Sequence, residues 1–251
     1  MLRFRKFNAD LFDPQPARDV YHKPGPGKGW PEECPPIRAA NAFGFDLLAN
    51  FEVTFTYKKD QWLIDSDIVI ESDFNFSGND ESDGNALVQQ YAWFWKKGQK
   101  LPHVITDNVY DVIKHQVKIS TFLYLASDPN ELLLVGDLPN QRKPWRSVSA
   151  LIDTDWYPAS YPWHVVLELD PAAKSVTIEK GEPLARITPV RRDTYFAKAM
   201  NDDEFGDFFE RGQAWIEKHG RSHESADSAA TRDITRTYVK QQMRSNFVVM
   251  E

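Results

Sequence analysis

The sequence predicts a mainly β domain, built as a barrel or sandwich of short strands, with helices confined to its C-terminal end. Short segments that alternate apolar and polar residues recur through the middle of the chain, and turn-forming residues separate them. Only after residue 200 does the spacing of apolar side chains change to the helical period. Because few helical stretches interrupt the strands, an all-β core is favoured over an alternating α/β fold.

The composition is typical of a folded protein with a substantial core. Hydrophobic residues make up 41% of the 251 residues and aromatic residues 13%, which excludes global disorder. The net charge of −7 argues against a nucleic-acid polymer or an anionic membrane surface as a partner. No apolar run approaches membrane-spanning length, no secretory leader is visible, and a single cysteine excludes an intramolecular disulfide. We therefore expect a cytoplasmic protein.

Residues 1–33 are expected to form an irregular arm that lies over the core. One short strand is predicted at 2–7, where apolar positions alternate. Proline and glycine residues then leave little room for regular structure before residue 30, at Pro14, Pro16, Pro24, Gly25, Pro26, Gly27 and Gly29.

The β-rich core is expected over residues 34–200, and its first part, from Cys34 to Ile70, is expected to consist of short strands. Strict alternation at 51–57 is the pattern of a half-buried strand, a further strand is predicted at 64–71, and 73–85 is predicted to be an exposed loop. The turn residues Asp128-Pro129-Asn130 separate two of the later strands. These later strands are predicted at 117–125, 131–135, 149–153, 163–169, 175–179 and 184–190.

Residues 201–251 are expected to form helices packed on the core or on a neighbouring subunit. Asn201 is a predicted N-cap, because three acidic residues follow it and suit the positive end of a helix. Apolar side chains then recur at helical spacing, at Phe205, Phe208, Phe209, Trp215 and Ile216. A second helix is predicted from about residue 226 to residue 244.

Two segments carry most of the information about function. In Gly44-Phe45-Asp46-Leu47 a glycine precedes a strand, where the missing Cβ allows a positive φ or a close backbone approach. In Ile152-Asp153-Thr154-Asp155-Trp156 two carboxylates and an aromatic ring lie in one turn after a strand. The run from Lys180 to Ile187 then forms a glycine turn that enters a further strand.

Together these segments resemble the motifs of the trimeric dUTPase and dCTP-deaminase superfamily, whose members have the β-clip fold. Residues 44–47 resemble Gly-Tyr-Asp-Leu of its first motif, and 152–156 resemble Ile-Asp-x-Asp-Tyr of its third. Residues 180–187 are similar to the strand that follows the third motif. The elements Cys-Pro-x-x-x-Ala-Asn-Ala-x-Gly, Thr-Asp-Trp-x-Pro and Gly-Glu-Pro resemble an uncharacterised bacterial family more closely. The resemblance covers residues 34–192.

The resemblance implies a role for each candidate site residue. Asp153, with Asp155 beside it, would be catalytic and would orient a water and a sugar hydroxyl. Trp156 would stack on a base, and Asp46 would support the phosphate side. Arg186 is added as a ligand-binding residue because a side chain from the strand after the glycine turn could face the acidic cluster. A homo-oligomer, in the form of a trimer, and a small-molecule ligand are also implied.

Structural explanations of the same residues stay open beside these roles. Asp153 and Asp155 could cap a turn, Trp156 could belong to the core, and Asp46 could order the start of its strand. No cofactor can be named from the sequence, and a metal site is not expected because no clear set of ligands is present.

Three functions remain as hypotheses. The first is a protein that binds a small ligand, nucleoside-like or derived from an amino acid, or an enzyme acting on it. This scaffold would lack the phosphate-binding motifs, since the segment 136–140 is acidic where a triphosphate needs positive charge. The second is a non-catalytic oligomeric scaffold. The third is a metal-dependent oxygenase on a double-stranded β-helix.

Overall fold

The part of the chain that a computed structural model describes contains fourteen strands in four sheets. The described residues are 1–18, 35–64, 70, 73, 92–94, 113–156 and 162–219. They fall into two compact units, Met1–Ala17 with Gly44–Arg192, and Arg18–Phe43 with Asp193–Glu251. The domain boundaries expected after residues 33 and 200 stay a prediction.

The first unit holds all fourteen strands, in which every pairing is antiparallel. In chain order they are β1 (Leu2–Lys6), β2 (Gln15–Pro16), β3 (Phe45–Leu48), β4 (Val53–Lys58), β5 (Gln61–Ile64), β6 (Ala92–Phe94), β7 (Gln116–Ser120), β8 (Leu123–Ser127), β9 (Glu131–Gly136), β10 (Trp145–Ser147), β11 (Ala150–Ile152), β12 (His164–Leu169), β13 (Ser175–Ile178) and β14 (Pro183–Arg191). A 3₁₀ turn at Pro171–Ala173 separates β12 from β13.

The largest sheet has five strands in the order β11-β9-β14-β3-β2. The others have the orders β10-β12-β7-β6, β13-β4-β5 and β1-β8. The mainly β fold class predicted from the sequence is therefore confirmed.

The core lies on the inner faces of these sheets, as the alternation of apolar residues predicted. On the pair β7–β12, Val117, Ile119, Val165 and Leu167 are at most 3% exposed, while the residues between them are more accessible. Equivalent positions on β4, β9 and β14 join one apolar cluster. Burying each of these side chains contributes about 1.5–3 kcal/mol relative to leaving it in water.

The close approach of Gly44 to β14 joins β3 to the centre of the largest sheet. Gly44 has φ +91°, and a Cβ built there would lie 2.4 Å from the Thr188 hydroxyl and 2.8 Å from the Ile187 carbonyl oxygen. Any other residue would therefore suffer both backbone strain and a clash with backbone atoms. The glycine of the first motif is explained by packing alone.

The strand predicted at 117–125 is in fact two strands, β7 and β8. Phe122 adopts φ +54°, which breaks the extended chain. The hydroxyl of Ser120 accepts a hydrogen bond from the Phe122 N–H, and that of Thr121 accepts one from the Leu123 N–H. Polar side chains that bond to the nearby backbone stabilise this corner, and Phe122 itself is buried in the core.

Residues 35–41 form a helix where short strands were expected. Helix α1 (Pro35–Asn41) begins with two prolines, which are tolerated in the first turn because its N–H groups have no partner within the helix. Its remaining residues include Ala39 and Ala40, the best helix-forming type. The prediction of strands for residues 35–41 was therefore wrong.

The predicted helix after Asn201 is confirmed as α2 (Asp202–His219). The Asn201 side chain accepts a hydrogen bond from the Glu204 N–H at 2.8 Å, and the Glu204 carboxylate accepts one from the Asn201 N–H at 3.0 Å. This reciprocal pair is a capping box. Phe205, Phe208 and Phe209 are each more than half exposed. The second predicted helix, the strand at 64–71 past Ile64 and most of the loop at 73–85 lie outside the described residues.

A half-buried histidine lies on the outer side of β7–β12. His164 pairs with Ser120, and Lys118 lies two residues before Ser120 on the same face. Burial, with a smaller contribution from the charge of Lys118, lowers the pKa of His164 to about 4 from its ordinary 6.5. Burial also lowers the pKa of Lys118.

We expect Gly44→Ala to lower the free energy of unfolding by about 2–4 kcal/mol, from left-handed strain and the clash with β14. Equilibrium denaturation measures this change. The matched control is Gly212→Ala in α2, where an added Cβ meets no heavy atom within 4 Å. That substitution should leave stability unchanged or raise it by about 0.5–1 kcal/mol. Equal effects of the two substitutions would contradict the packing described for Gly44.

We also expect acid to destabilise the fold through His164. Below pH 6.5 His164 is protonated in the unfolded chain, whereas in the folded chain it stays neutral down to about pH 4. Stability is therefore lost as the pH falls through this window. The loss between about pH 7 and pH 5 should be about 2 kcal/mol. Denaturation curves of the native chain and of His164→Leu would test this, since the variant should lose less stability. Parallel pH dependence of the two chains would show that His164 is not the titrating group.

Candidate functional site

The turn after β11 is held together by hydrogen bonds to one carboxylate. Asp153 Oδ1 accepts from the Asp155 N–H at 3.1 Å and from Arg192 Nη2 at 2.5 Å. The indole N–H of Trp156 also donates to the Asp153 carboxylate. Asp153, Asp155 and Trp156 lie in one turn because they are near neighbours in the chain, and their assignment as site residues stays a prediction.

Arg192 joins the two carboxylates and anchors the turn to the end of β14. Its Nη2 also donates to Asp155 Oδ2 at 3.0 Å, and that same oxygen accepts from the Asn130 backbone N–H at 3.1 Å. Thr154 Oγ1 lies 2.8 Å from the Ser127 hydroxyl, which is a further bond to the β8–β9 hairpin. The turn is therefore fixed on two sides and is preorganised.

The electrostatics of the turn favour a permanently charged Asp153. Partial burial alone would raise the pKa of this carboxyl, but the hydrogen bonds from Arg192, Asp155 and Trp156 outweigh it and the pKa is lowered. A carboxylate with a low pKa and three donors is a weak proton acceptor at neutral pH. The geometry thus favours a positioning role for Asp153 over general-base catalysis.

Trp156 is exposed to solvent, with 72% of its surface accessible. The expectation that it could belong to the core is therefore wrong. Arg192 next to it is 39% exposed, and its two hydrogen bonds to carboxylates both come from Nη2. Its Nε and Nη1 donate to no described residue, so they are available to an anionic group outside the chain.

Asp46 and Arg186 form a second group, which is a buried ion pair inside the sheet. They face each other in the β3–β14 register, and Arg186 Nε donates to Asp46 Oδ1 at 2.7 Å. Their side chains are only 13% and 7% exposed. Burial raises the pKa of Asp46, and the Arg186 guanidinium opposes that rise. Removing one partner of such a pair leaves a buried charge, so this pair has a structural role.

The structure does not bring the two groups into one site. Arg186, Thr188 and Val190 alternate along one face of β14, where Arg186 and Thr188 are buried, and Arg192 follows at the end of the strand. Arg191 is five residues beyond Arg186, which is roughly 16 Å along a strand. Asp46 and Arg186 therefore lie on the same sheet as the 153–156 turn but well away from it, and their assignment as ligand-binding residues stays a prediction.

From the sequence, Arg191-Arg192 could pair with acidic residues of a neighbour or with an anionic ligand, but Arg192 was not placed beside Asp153 and Asp155. The signal that could have identified it is the alternation along β14, which places every second residue from Arg186 onward on one face. A cation at the end of that face was a candidate partner for the acidic turn.

The face of the five-stranded sheet that carries Thr188 also carries an exposed apolar pair on β9 and β11. Leu134 and Leu151 face each other in the β9–β11 register and are 43% and 61% exposed. Within the described residues β11 pairs only with β9, so it forms the edge of the five-stranded sheet.

Two further findings concern metals and membranes. No group of three or more His, Cys, Asp or Glu side chains among the described residues could hold a metal ion. The oxygenase hypothesis stays a prediction, because other histidines, among them His103 and His223, lie outside those residues. Over the same part of the chain, no helix has the length and hydropathy needed to cross a bilayer.

Comparisons with known proteins give structural neighbours only. No family model matches the chain, and no curated protein matches it significantly. Two solved structures of the dUTPase from phage phi11 of S. aureus are similar to it at 9% identity, covering 80% of this chain and 97% of theirs. One of these is a mutant whose structure describes a structural Mg(II) ion. A Staphylococcus bacteriophage 80alpha dUTPase with dUpNHpp is similar at 10% identity, covering 80% of this chain and 89% of its own.

The three neighbours are dUTPases, which belong to the superfamily that the sequence motifs resemble. All three have a TM-score of 0.37. That value and the low identities are too low to transfer topology, ligand or activity to this chain.

Proposed function

We propose that this chain binds a planar small molecule that carries an acidic group, with Trp156 and Arg192 as the contact residues. The proposal depends on one observation, that an exposed indole ring and a guanidinium with unused donors are held by the same carboxylate, Asp153. The ring offers a flat apolar surface, and the guanidinium beside it offers positive charge.

The size of the expected interactions indicates a weak site. Stacking of a planar ring on an exposed aromatic side chain contributes about 1–3 kcal/mol. A charge-assisted hydrogen bond from Arg192 contributes about 1.5–3 kcal/mol more. Because ordering the ligand offsets part of this sum, we expect dissociation constants near the millimolar range, about −4 kcal/mol.

Binding is favoured over catalysis by the state of the two carboxylates. Asp153 and Asp155 accept their hydrogen bonds from Arg192 and from backbone N–H groups of the turns. Neither the pKa direction of Asp153 nor its bonding leaves it suited to activate a water. Asp153 and Asp155 are therefore proposed to orient Trp156 and Arg192 rather than to react.

We expect nucleoside monophosphates to quench tryptophan fluorescence. They should also bind more tightly than the corresponding nucleosides, which lack the phosphate. Uridine and uridine monophosphate, adenosine and adenosine monophosphate, and indole acetate are suitable probes. Trp156→Ala should abolish the quenching, and Arg192→Gln should reduce the preference for the phosphate about tenfold. Fluorescence titration measures both effects.

The control for Trp156→Ala is Phe208→Ala, which removes a different aromatic ring, 53% exposed on α2 and distant in sequence from both Trp156 and Arg192. Its titration curves should match those of the native chain. The chain has eight tryptophans, so only the difference between the native and Trp156→Ala curves reports this site. Quenching that persists in the Trp156 variant, or no quenching by any probe, would exclude the proposed site.

A second candidate function is a self-associating scaffold, and the exposed pair Leu134–Leu151 favours it. An edge strand with an apolar outer face is a surface to which a second chain can bind, both by strand pairing and by apolar contact. The resemblance implies a trimer as the assembled form. A second copy of this chain is the proposed partner at β11.

We expect Leu151→Lys to shift the protein towards monomer, because a charge at the edge opposes both pairing and apolar burial. Light scattering coupled to size-exclusion chromatography measures the mass. The matched control is Leu63→Lys on β5, since Leu63 is 48% exposed on a different sheet. A native chain that is monomeric at high concentration, or an oligomer unaffected by Leu151→Lys, would exclude association through this edge.

A further inference from the structure

A cleft of about 270 Å³ lies at the ends of β10 and β12, away from the turn described above. It has both cationic and anionic side chains and an imidazole in its wall. The lining residues are His115, Lys143, Trp145, Arg146, Glu168, Leu169, Asp170 and Pro171.

Backbone hydrogen bonds hold the three segments of the cleft together. Trp145 and Arg146 pair with Leu169 and Glu168 in the β10–β12 register. The Leu169 N–H donates to the His115 carbonyl oxygen at 2.9 Å, and the Asp170 N–H donates to the Pro144 carbonyl oxygen at 2.9 Å. Arg146 and Glu168 therefore lie on paired strands, and His115 and Asp170 are held next to strand ends by these backbone bonds.

His115 is fixed by aromatic neighbours in one tautomer. Its Nδ1 accepts a hydrogen bond from the indole N–H of the buried Trp62 at 3.0 Å. Its ring also packs against Tyr57, with centroids 5.5 Å apart. Because Nδ1 is the acceptor, a neutral His115 carries its proton on Nε2, which bonds to no described residue. The imidazole thus has one donor, Nε2, that no described residue uses, and His115 lines the cleft.

Charges of both signs line the cleft. Arg146 donates to Glu168 Oε1 from both Nε and Nη2, at 3.2 and 2.8 Å, which leaves Nη1 unused by any described residue. Lys143 pairs with Glu182, and its Nζ lies 5.8 Å from the centroid of the Trp145 ring.

Asp170 adds a negative charge to the lining of the cleft. It caps the 3₁₀ turn through Oδ1, which accepts from the Ala172 N–H at 2.9 Å. Its Oδ2 accepts no hydrogen bond from the described residues and is open to a ligand.

The geometry points to a binding site for a small zwitterion of the α-amino acid class in this cleft. The donors of His115, Arg146 and Lys143 suit a carboxylate, and the carboxylates of Asp170 and Glu168 suit an ammonium group. A ligand with a negative charge alone fits less well, because the carboxylates of Asp170 and Glu168 in the same lining would repel it. The volume matches a ligand of this size better than a nucleotide, since most drug-sized sites are about 300–1,000 Å³.

The test is a melting experiment on the intact chain with each standard free amino acid at about 10 mM. A ligand with a dissociation constant near 1 mM should raise the melting temperature by about 3–6 °C. The N-acetyl and amide derivatives of any amino acid that binds should bind at least about tenfold more weakly, because each lacks one of the two charges.

Two variants connect the binding to the cleft. Asp170→Asn keeps an oxygen to accept from the Ala172 N–H but loses the charge, and Arg146→Gln removes the guanidinium. Each should weaken binding about tenfold. The matched control is Lys198→Gln, which removes another exposed, ion-paired cation, at 2.8 Å from Glu204, and should have no effect.

Nuclear magnetic resonance of the native chain tests the site without any substitution, so its result does not depend on whether the variants fold. In the native chain, a bound amino acid should shift the Nε2 resonance of His115. The inference is overturned by an absence of melting shifts across the amino acids. It is equally overturned by undiminished binding of the N-acetyl form, or by affinity unchanged in both cleft variants.

Discussion

The contact between the backbone at Gly44 and β14 is the constraint on which the rest of the sheet depends. β14 is the longest of the described strands and pairs with β3 on one side and β9 on the other. The positions of β3 and β9 relative to each other therefore depend on β14. With no side chain at residue 44, β3 can lie close enough for Asp46 to reach Arg186. The far end of the same strand leads into Arg192, which holds the acidic turn. One strand thus organises a buried ion pair and an exposed surface, with opposite consequences for function.

Much of the fold could be predicted because the period of two along a strand is a local property of sequence. The strands at β4, β9, β12 and β13 follow it closely. The corner at Thr121–Phe122 was not predicted, although Ser120-Thr121 interrupts the alternation there, because the left-handed residue is a phenylalanine and not a usual turn residue. At α1 the two prolines lie in a segment that was expected to form strands. Proline is also common at the first position of a helix, and here the helix begins with both prolines.

The candidate site was predictable only as far as its residues are neighbours in the chain. Asp153, Asp155 and Trp156 share one turn, so their proximity follows from sequence alone. The distance between Asp46 and that turn depends on strand register, which a motif does not contain. His115 and Trp62 are separated by 53 residues and meet only after folding, so no spacing rule could have indicated the cleft that they help to form.

The hydrogen bond from the Trp156 indole to Asp153 limits what this surface can distinguish. With its only polar donor already used, the ring can meet another molecule through its π faces and apolar edge alone. Such a surface is insensitive to the pattern of amide and carbonyl groups by which one base differs from another. Any selectivity must then come from the guanidinium of Arg192. The surface would bind different planar rings about equally well, but only those that carry a negative charge.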